Sequence, residues 1–193
     1  MTKRVGHGSW STTLGSKVDY LHLQNLMKET MELESKKILV VEYQPQYKRA
    51  FIDLNEEWIA AYFKLEEADH KVLNDPEQSI IAKGGHIFVA LDQGEAVGVC
   101  ALLRNTHADY AFELAKMAVS PRVQGKGAGQ MLAQAVMAKA KSLGAQNLYL
   151  ESNTLLAPAI NLYRKLGFRE VSGCGSAYER CNIQMVLEFS KQA

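Results

Sequence analysis

The stretch Val119-Ser120-Pro121-Arg122-Val123-Gln124-Gly125-Lys126-Gly127-Ala128-Gly129-Gln130-Met131-Leu132 leads from an apolar strand through a glycine-rich loop into a helix. Leu114 to Val119 reads as a mostly buried strand, and Pro121 stops it because proline has no N–H to continue a ladder. Beyond the loop, Met131, Leu132, Ala135, Val136 and Leu143 recur at helical spacing, and the pattern ends before Gly144. The glycines therefore fall at a helix N-terminus. There the first N–H groups have no intrahelical partner, the dipole is positive, and residues without a Cβ let an anion approach the backbone. A diphosphate fits this description; a tight strand-to-helix turn without a ligand is the plainer alternative. Two better-known loops are excluded by spacing. A phosphate-binding NTPase loop needs Ser or Thr after Gly-Lys, and Gly127 follows Lys126; a dinucleotide fold needs G-x-G-x-x-G, and Gln130 or Leu132 stands where the last glycine should be.

The remaining pattern gives a mixed architecture. Residues 2–17 are rich in Gly, Ser and Thr with no periodic apolar face, and Leu21, Leu23, Leu26, Met27, Met31 and Leu33 suggest a helix. Residues 1–36 thus read as an N-terminal extension, a flexible leader plus a helix, and 37–193 as the folded domain. That domain starts with a strand at 38–43. A helix at about 46–62 follows, with Phe51, Leu54, Trp58, Ile59 and Tyr62 on one face, and a second at about 64–73 ends before Asn74-Asp75-Pro76. Segments 86–91 and 96–103 form a hairpin, and a strand near 110–119 enters the glycine loop. After the loop helix come a strand at 147–152, a helix with Pro158 near its start and Gly167 past its end, and strands at 168–171 and 181–187. The order βααβββαβαββ predicts an α+β fold: a mixed, mostly antiparallel sheet of six to seven strands with helices on both faces.

At 193 residues, 47% apolar and 22% charged, the chain can bury a sizeable core in one domain. A formal net charge of +1 gives no general drive toward nucleic acid or an anionic membrane, so neither is expected as a partner. Cys100, Cys174 and Cys181 form no C-x-x-C pair and are odd in number, which argues against a disulfide framework and for a reducing compartment. No apolar run approaches the ~20 residues of a membrane span, and the N-terminus has no signal-peptide hydrophobic region, so a cytoplasmic location is expected. His7, His22, His70, His86 and His107 show no ligand spacing, and no metal is expected.

Gln124-Gly125-Lys126-Gly127-Ala128-Gly129 matches the Q/R-x-x-G-x-G/A signature of the GNAT superfamily of acyl-CoA-dependent N-acyltransferases, and two further blocks resemble it. Leu148-Tyr149-Leu150-Glu151-Ser152-Asn153 looks like that family's next strand, and Asn161-Leu162-Tyr163-Arg164-Lys165-Leu166-Gly167-Phe168 like its characteristic helix ending. The agreement covers roughly residues 86–171, and more loosely 37 to the C-terminus. Lys126 stands where relatives often carry arginine. Since backbone N–H groups make most of the phosphate contacts there, little is expected to change.

The resemblance implies a GNAT-like sheet and acetyl-CoA as cofactor, with Gln124, Gly125, Lys126, Gly127, Ala128, Gly129 and Gln130 around the diphosphate. It places the Met117 N–H near the thioester oxygen and Val119 against the pantetheine arm. It makes Tyr163 the acid that protonates the departing thiolate, against the plainer reading of a half-buried aromatic. Asn153 is implied as a polar contact to the pantetheine amides, or else is a turn residue. Glu113 lies four residues before Met117, so regular alternation puts both on one face; it matches a position that supplies the general base in some relatives, though a surface strand glutamate looks the same. Glu151 is a second candidate. The acceptor cleft is expected between Trp58, Tyr62, Glu66 and Asp69 on one side and Tyr178, Glu179 and Arg180 on the other, although Glu66-Glu67-Ala68-Asp69 is also what a solvated helix face looks like. The function implied is acetyl transfer from acetyl-CoA to a primary amine of a small molecule or peptide, by direct attack in a ternary complex. A non-catalytic CoA-binding module acting through protein association is the alternative, and a homodimer is left open.

Overall fold

The computed structural model describes residues 22–28, 38–105, 109–172 and 176–189. The chain divides into two units, Met1–Lys37 and Ile38–Ala193. In the first, residues 22–28 form a short helix, α1; the leader read at 2–17 and the rest of the helix read from 21 to 33 lie outside the described residues.

The second unit carries a seven-stranded sheet in the order β1-β2-β3-β4-β5-β7-β6. The strands are β1 (Leu39–Glu42), β2 (His86–Asp92), β3 (Glu95–Arg104), β4 (Phe112–Val119), β5 (Asn147–Ser152), β6 (Arg169–Val171) and β7 (Ile183–Glu188). The helices are α2 (Lys48–Tyr62), α3 (Glu67–Leu73), α4 (Pro76–Ser79), α5 (Ala128–Ser142) and α6 (Ala157–Lys165). The expected order holds with one addition, α4. Asp75-Pro76, read from sequence only as the end of a helix, also starts one: the Asp75 carboxylate accepts the Gln78 N–H at 3.4 Å, and Pro76 needs no partner in the first turn.

Period-two alternation along β3 divides the core. Val99 and Ala101 join Phe51 and Ile59 of α2 and Leu73 of α3 on one face; Cys100 and Leu102 join Leu132 and Val136 of α5 and Ile160 of α6 on the other. Removing a fully buried side chain such as Phe51 or Leu132 from water contributes about 1.5–3 kcal/mol, so each face holds its helices firmly. Gly98 sets how closely α5 lies on the sheet. A Cβ there would meet Leu132 Cδ1 at 3.1 Å, so only glycine lets the helix lie this close to β3 and bring its N-terminus to the end of β4.

All neighbouring strands are antiparallel except β4 and β5, which run parallel and share one register pair, Glu113 with Tyr149. Beyond that pair the two strands part, and the sheet opens at its centre. Among the described residues no helix is long and apolar enough to cross a membrane.

Candidate active site

The glycine loop lies at the top of this opening. β4 ends at Val119, a 3-10 turn Pro121–Val123 follows, and α5 starts from Gly127. Gly125 and Gly127 have φ of 79° and 83°, the left-handed region that costs a side-chain-bearing residue about 1–2 kcal/mol. The Met131 N–H is bonded to Gly127 O at 3.0 Å, so it is the N–H groups of Ala128, Gly129 and Gln130 that lack a carbonyl four residues back inside the helix. Together with the dipole they make an anion cradle, and Gln124, Gly125, Gly127, Ala128, Gly129 and Gln130 all line a cleft of about 450 Å³. Lys126 does not line it. Its ammonium is 3.2 Å from the Asp92 carboxylate, on the solvent side of the loop.

The cleft follows the free edge of β4, where Leu114, Met117 and Val119 line it. Here the structure corrects the alternation read from sequence. Val99 pairs with Ala118 and Ala101 with Ala115, which leaves Lys116 and Met117 together opposite Cys100, a bulge with Lys116 at φ 50°. One extra residue shifts the period by one. Met117 packs with the α5–α6 core, Lys116 turns to the α2–α3 side, and Glu113 and Met117 leave the strand on opposite faces rather than the same one. Both still line the cleft, from its two sides.

Tyr163, on the inner side of α6, is 6% exposed and its ring centroid lies 5.9 Å from that of Phe168. Its edge lines the cleft, and among the described residues its hydroxyl has no hydrogen-bond partner. Burial pushes the phenol up from its ordinary pKa, so it stays protonated. Asn153 also lines the cleft, but its amide donates to Arg180 O at 2.6 Å and its carbonyl accepts the Leu155 N–H at 2.8 Å. It thereby closes the turn before α6 and ties that turn to the loop preceding β7.

Glu113 is half-buried, and among the described residues no donor is bonded to its carboxylate. Burial first, and the Glu151 charge second, push its pKa up to about 7, with Lys116 opposing them. Glu151, in contrast, accepts from the Tyr149 hydroxyl at 3.0 Å and from Ser176 Oγ at 2.5 Å.

The acceptor wall differs from expectation in two residues. Trp58 and Tyr178 line the cleft; Tyr62 and Glu66 do not. Tyr62 ends α2 with 54% of its surface exposed, and the next residue, Phe63, leaves the helix at φ −144° and takes the place in the cleft. Glu66 caps α3 and accepts from the Glu179 N–H at 2.9 Å and Arg180 Nη1 at 2.9 Å. Asp69, fully buried, takes a two-pronged bond from Arg180 at 2.7 and 2.7 Å and another from Lys116 Nζ at 2.9 Å. Lys116 Nζ also lies 2.7 Å from the Tyr178 hydroxyl. The acidic residues read as an amine-binding surface are thus engaged by cations of the chain itself. The sequence reading missed Lys116, Phe63 and Asn55. A lysine inside the run Leu114 to Val119 was the one visible sign of the bulge; Asn55, a nearly buried amide on an otherwise apolar helix face, was a similar sign on α2.

Residues 42–168 match the Acetyltransferase (GNAT) family. The chain is 32% identical over 121 residues, 60% of its length and 71% of the relative's, to an uncharacterized N-acetyltransferase, YjgM, of Escherichia coli strain K12. Its fold is similar to the crystal structure of a GNAT-family acetyltransferase of Staphylococcus aureus, with a TM-score of 0.70 at 21% identity over 79% of this chain and 99% of that one. It is also similar to yncA of Salmonella typhimurium, solved with its cofactor acetyl-CoA, with a TM-score of 0.65 at 18% identity over 81% and 96%.

Proposed function

Because this chain belongs to the GNAT acetyltransferase family, whose members draw the acetyl group from acetyl-CoA, we propose that it transfers that group to a primary amine of a small molecule or peptide by direct attack in a ternary complex. The observation that carries the reading is one cleft in which an anion cradle, a neutral phenol and an unbonded carboxylate face each other. The cradle fits a diphosphate on backbone grounds alone: two left-handed glycines and three unpaired N–H groups at the start of α5. The bound coenzyme supplies a thioester, an acyl group on a leaving thiol.

Each remaining role falls to a residue of the chain. The loop from Gln124 to Gln130 holds the diphosphate, and the β4 edge at Val119 runs beside the pantetheine arm. The Met117 N–H polarises the carbonyl oxygen, with the bulge setting its direction. Tyr163 gives a proton to the departing sulfur. Glu113 takes one from the amine, as the new C–N bond forms and the C–S bond breaks. Asn153 holds the turn before α6 and so the approach to Tyr163. Cys100 and Cys181 have thiols pushed up by burial, which leaves neither as a thiolate and supports direct transfer over an acyl-enzyme. Their free state suits the reducing interior of a cell, and a cytoplasmic location is part of the proposal.

The pH profile of amine-dependent coenzyme A release tests this. Glu113 acts when ionised, so kcat/KM rises with pH along a limb centred near 7 and then levels. Glu113→Gln abolishes that limb and lowers kcat/KM by about 10²–10⁴-fold. An unchanged profile in the variant removes Glu113 as the base; no release with any amine removes the function.

A further inference from the structure

The acceptor half of the cleft has one seat for a positive charge. Four carboxylates stand on or just behind it, and three are already engaged. Asp69 is bonded to Arg180 and Lys116, Glu66 to Arg180 and the Glu179 N–H, and Glu151 to the Tyr149 and Ser176 hydroxyls. Glu113 alone has no donor among the described residues. The next charges along the lining are Lys116 and Arg180, which repel a second ammonium and are themselves held by Asp69 and Glu66.

The wall opposite is apolar and held in place. Trp58 and Phe63 meet with ring centroids 6.2 Å apart at 49°. The Arg180 guanidinium lies between Phe63 and Tyr178, at 6.0 and 4.5 Å from their rings. A flat hydrocarbon body gains from such surfaces both by area and by ring contact. A polyhydroxylated or polycationic body would meet few groups able to bond it.

We infer that the acceptor is a monoamine on an aromatic or branched apolar body, its nitrogen at Glu113 and its body against Trp58 and Phe63. This rests on the proposed acetyl transfer and narrows it. A carboxylate beside the amine gains nothing, since the two cations of the wall are already paired.

The test compares kcat/KM of the full chain with acetyl-CoA and four acceptors: 2-phenylethylamine, phenylalanine, spermidine and an aminoglycoside. The inference expects 2-phenylethylamine to lead each of the others by at least about tenfold, the ratio that one well-filled apolar contact gives. Trp58→Ala raises KM for 2-phenylethylamine by about tenfold and leaves the Kd of coenzyme A unchanged, and Trp58→Phe restores most of the loss. Spermidine or the aminoglycoside matching 2-phenylethylamine overturns the single-seat argument, and phenylalanine surpassing it overturns the claim that the cation pair is engaged. Those outcomes leave acetyl transfer standing. Coenzyme A binding with no turnover of any amine overturns the function itself, and the inference with it.

Discussion

Tyr163→Phe lowers kcat by about 10²–10⁴-fold, the range that a positioned proton donor contributes, with the KM for acetyl-CoA nearly unchanged. The substitution removes one oxygen and keeps the ring that packs on Phe168, so the fold is retained. A phenol raised by burial is a weaker acid than one in water, which at first sight counts against the role. The same apolar setting raises a thiol as well, as it does for Cys100 two strands away, so the gap between donor and leaving group stays small. As charge builds on sulfur, the hydroxyl that lacks a partner among the described residues is the group able to meet it. Steady-state rates with any competent amine check this. A kcat within a factor of three of the parent's would leave the thiolate without an acid from the chain.

Asp69→Asn destabilises the domain by about 3–5 kcal/mol, because it leaves two buried cations facing a neutral amide. Asp69 is wholly enclosed, bonded to Arg180 and Lys116, and it also accepts the Glu66 N–H at 3.0 Å in the box that caps α3. Burial alone would raise its pKa; the Arg180 and Lys116 hydrogen bonds outweigh that and hold it down to about 2. A carboxylate depressed in the folded state contributes stability that is complete above its unfolded value near 3.8 and is lost as pH falls from there to about 2. Denaturant titrations across that interval see the loss in the parent and not in Asp69→Asn. Replacing the pair together, Asp69→Asn with Lys116→Met, recovers part of the stability, since a buried pair exchanged for neutral groups of similar size costs little. A single-variant loss below about 1 kcal/mol would mean that the cluster is solvated, and the engaged-carboxylate account of the acceptor wall would fall with it.

How far these features were readable from the chain depends on how local their causes are. Gly125 and Gly127 were readable because the left-handed turn before α5 admits little else, and Tyr163 because a helix start and a glycine stop bracket it. The two-sided core was readable from alternation in β2 and β3. The bulge was not: a pattern of period two carries no mark for one inserted residue, and the parity of Glu113 and Met117 was assigned across it. The place of β7 between β5 and β6 is a long-range pairing that no segment announces by itself. The same holds for the acidic residues of α3. Arg180 lies 111 and 114 residues from Asp69 and Glu66, so a charge run that reads as a binding surface is in the fold an internal clamp. Tyr62 and Phe63 differ by one residue at a helix end, where boundaries from periodicity are least sharp.

The central claim is direct transfer across the cleft, from coenzyme to amine, with the chain supplying only polarisation and protons. Initial rates measured over a grid of acetyl-CoA and 2-phenylethylamine, or whichever amine turns over best, test it most directly, alongside intact mass of the protein after acetyl-CoA alone. Direct transfer predicts intersecting double-reciprocal lines, one coenzyme A released per N-acetyl product, and no acetylated protein. Parallel lines with an acetylated protein isolated before amine is added would contradict it.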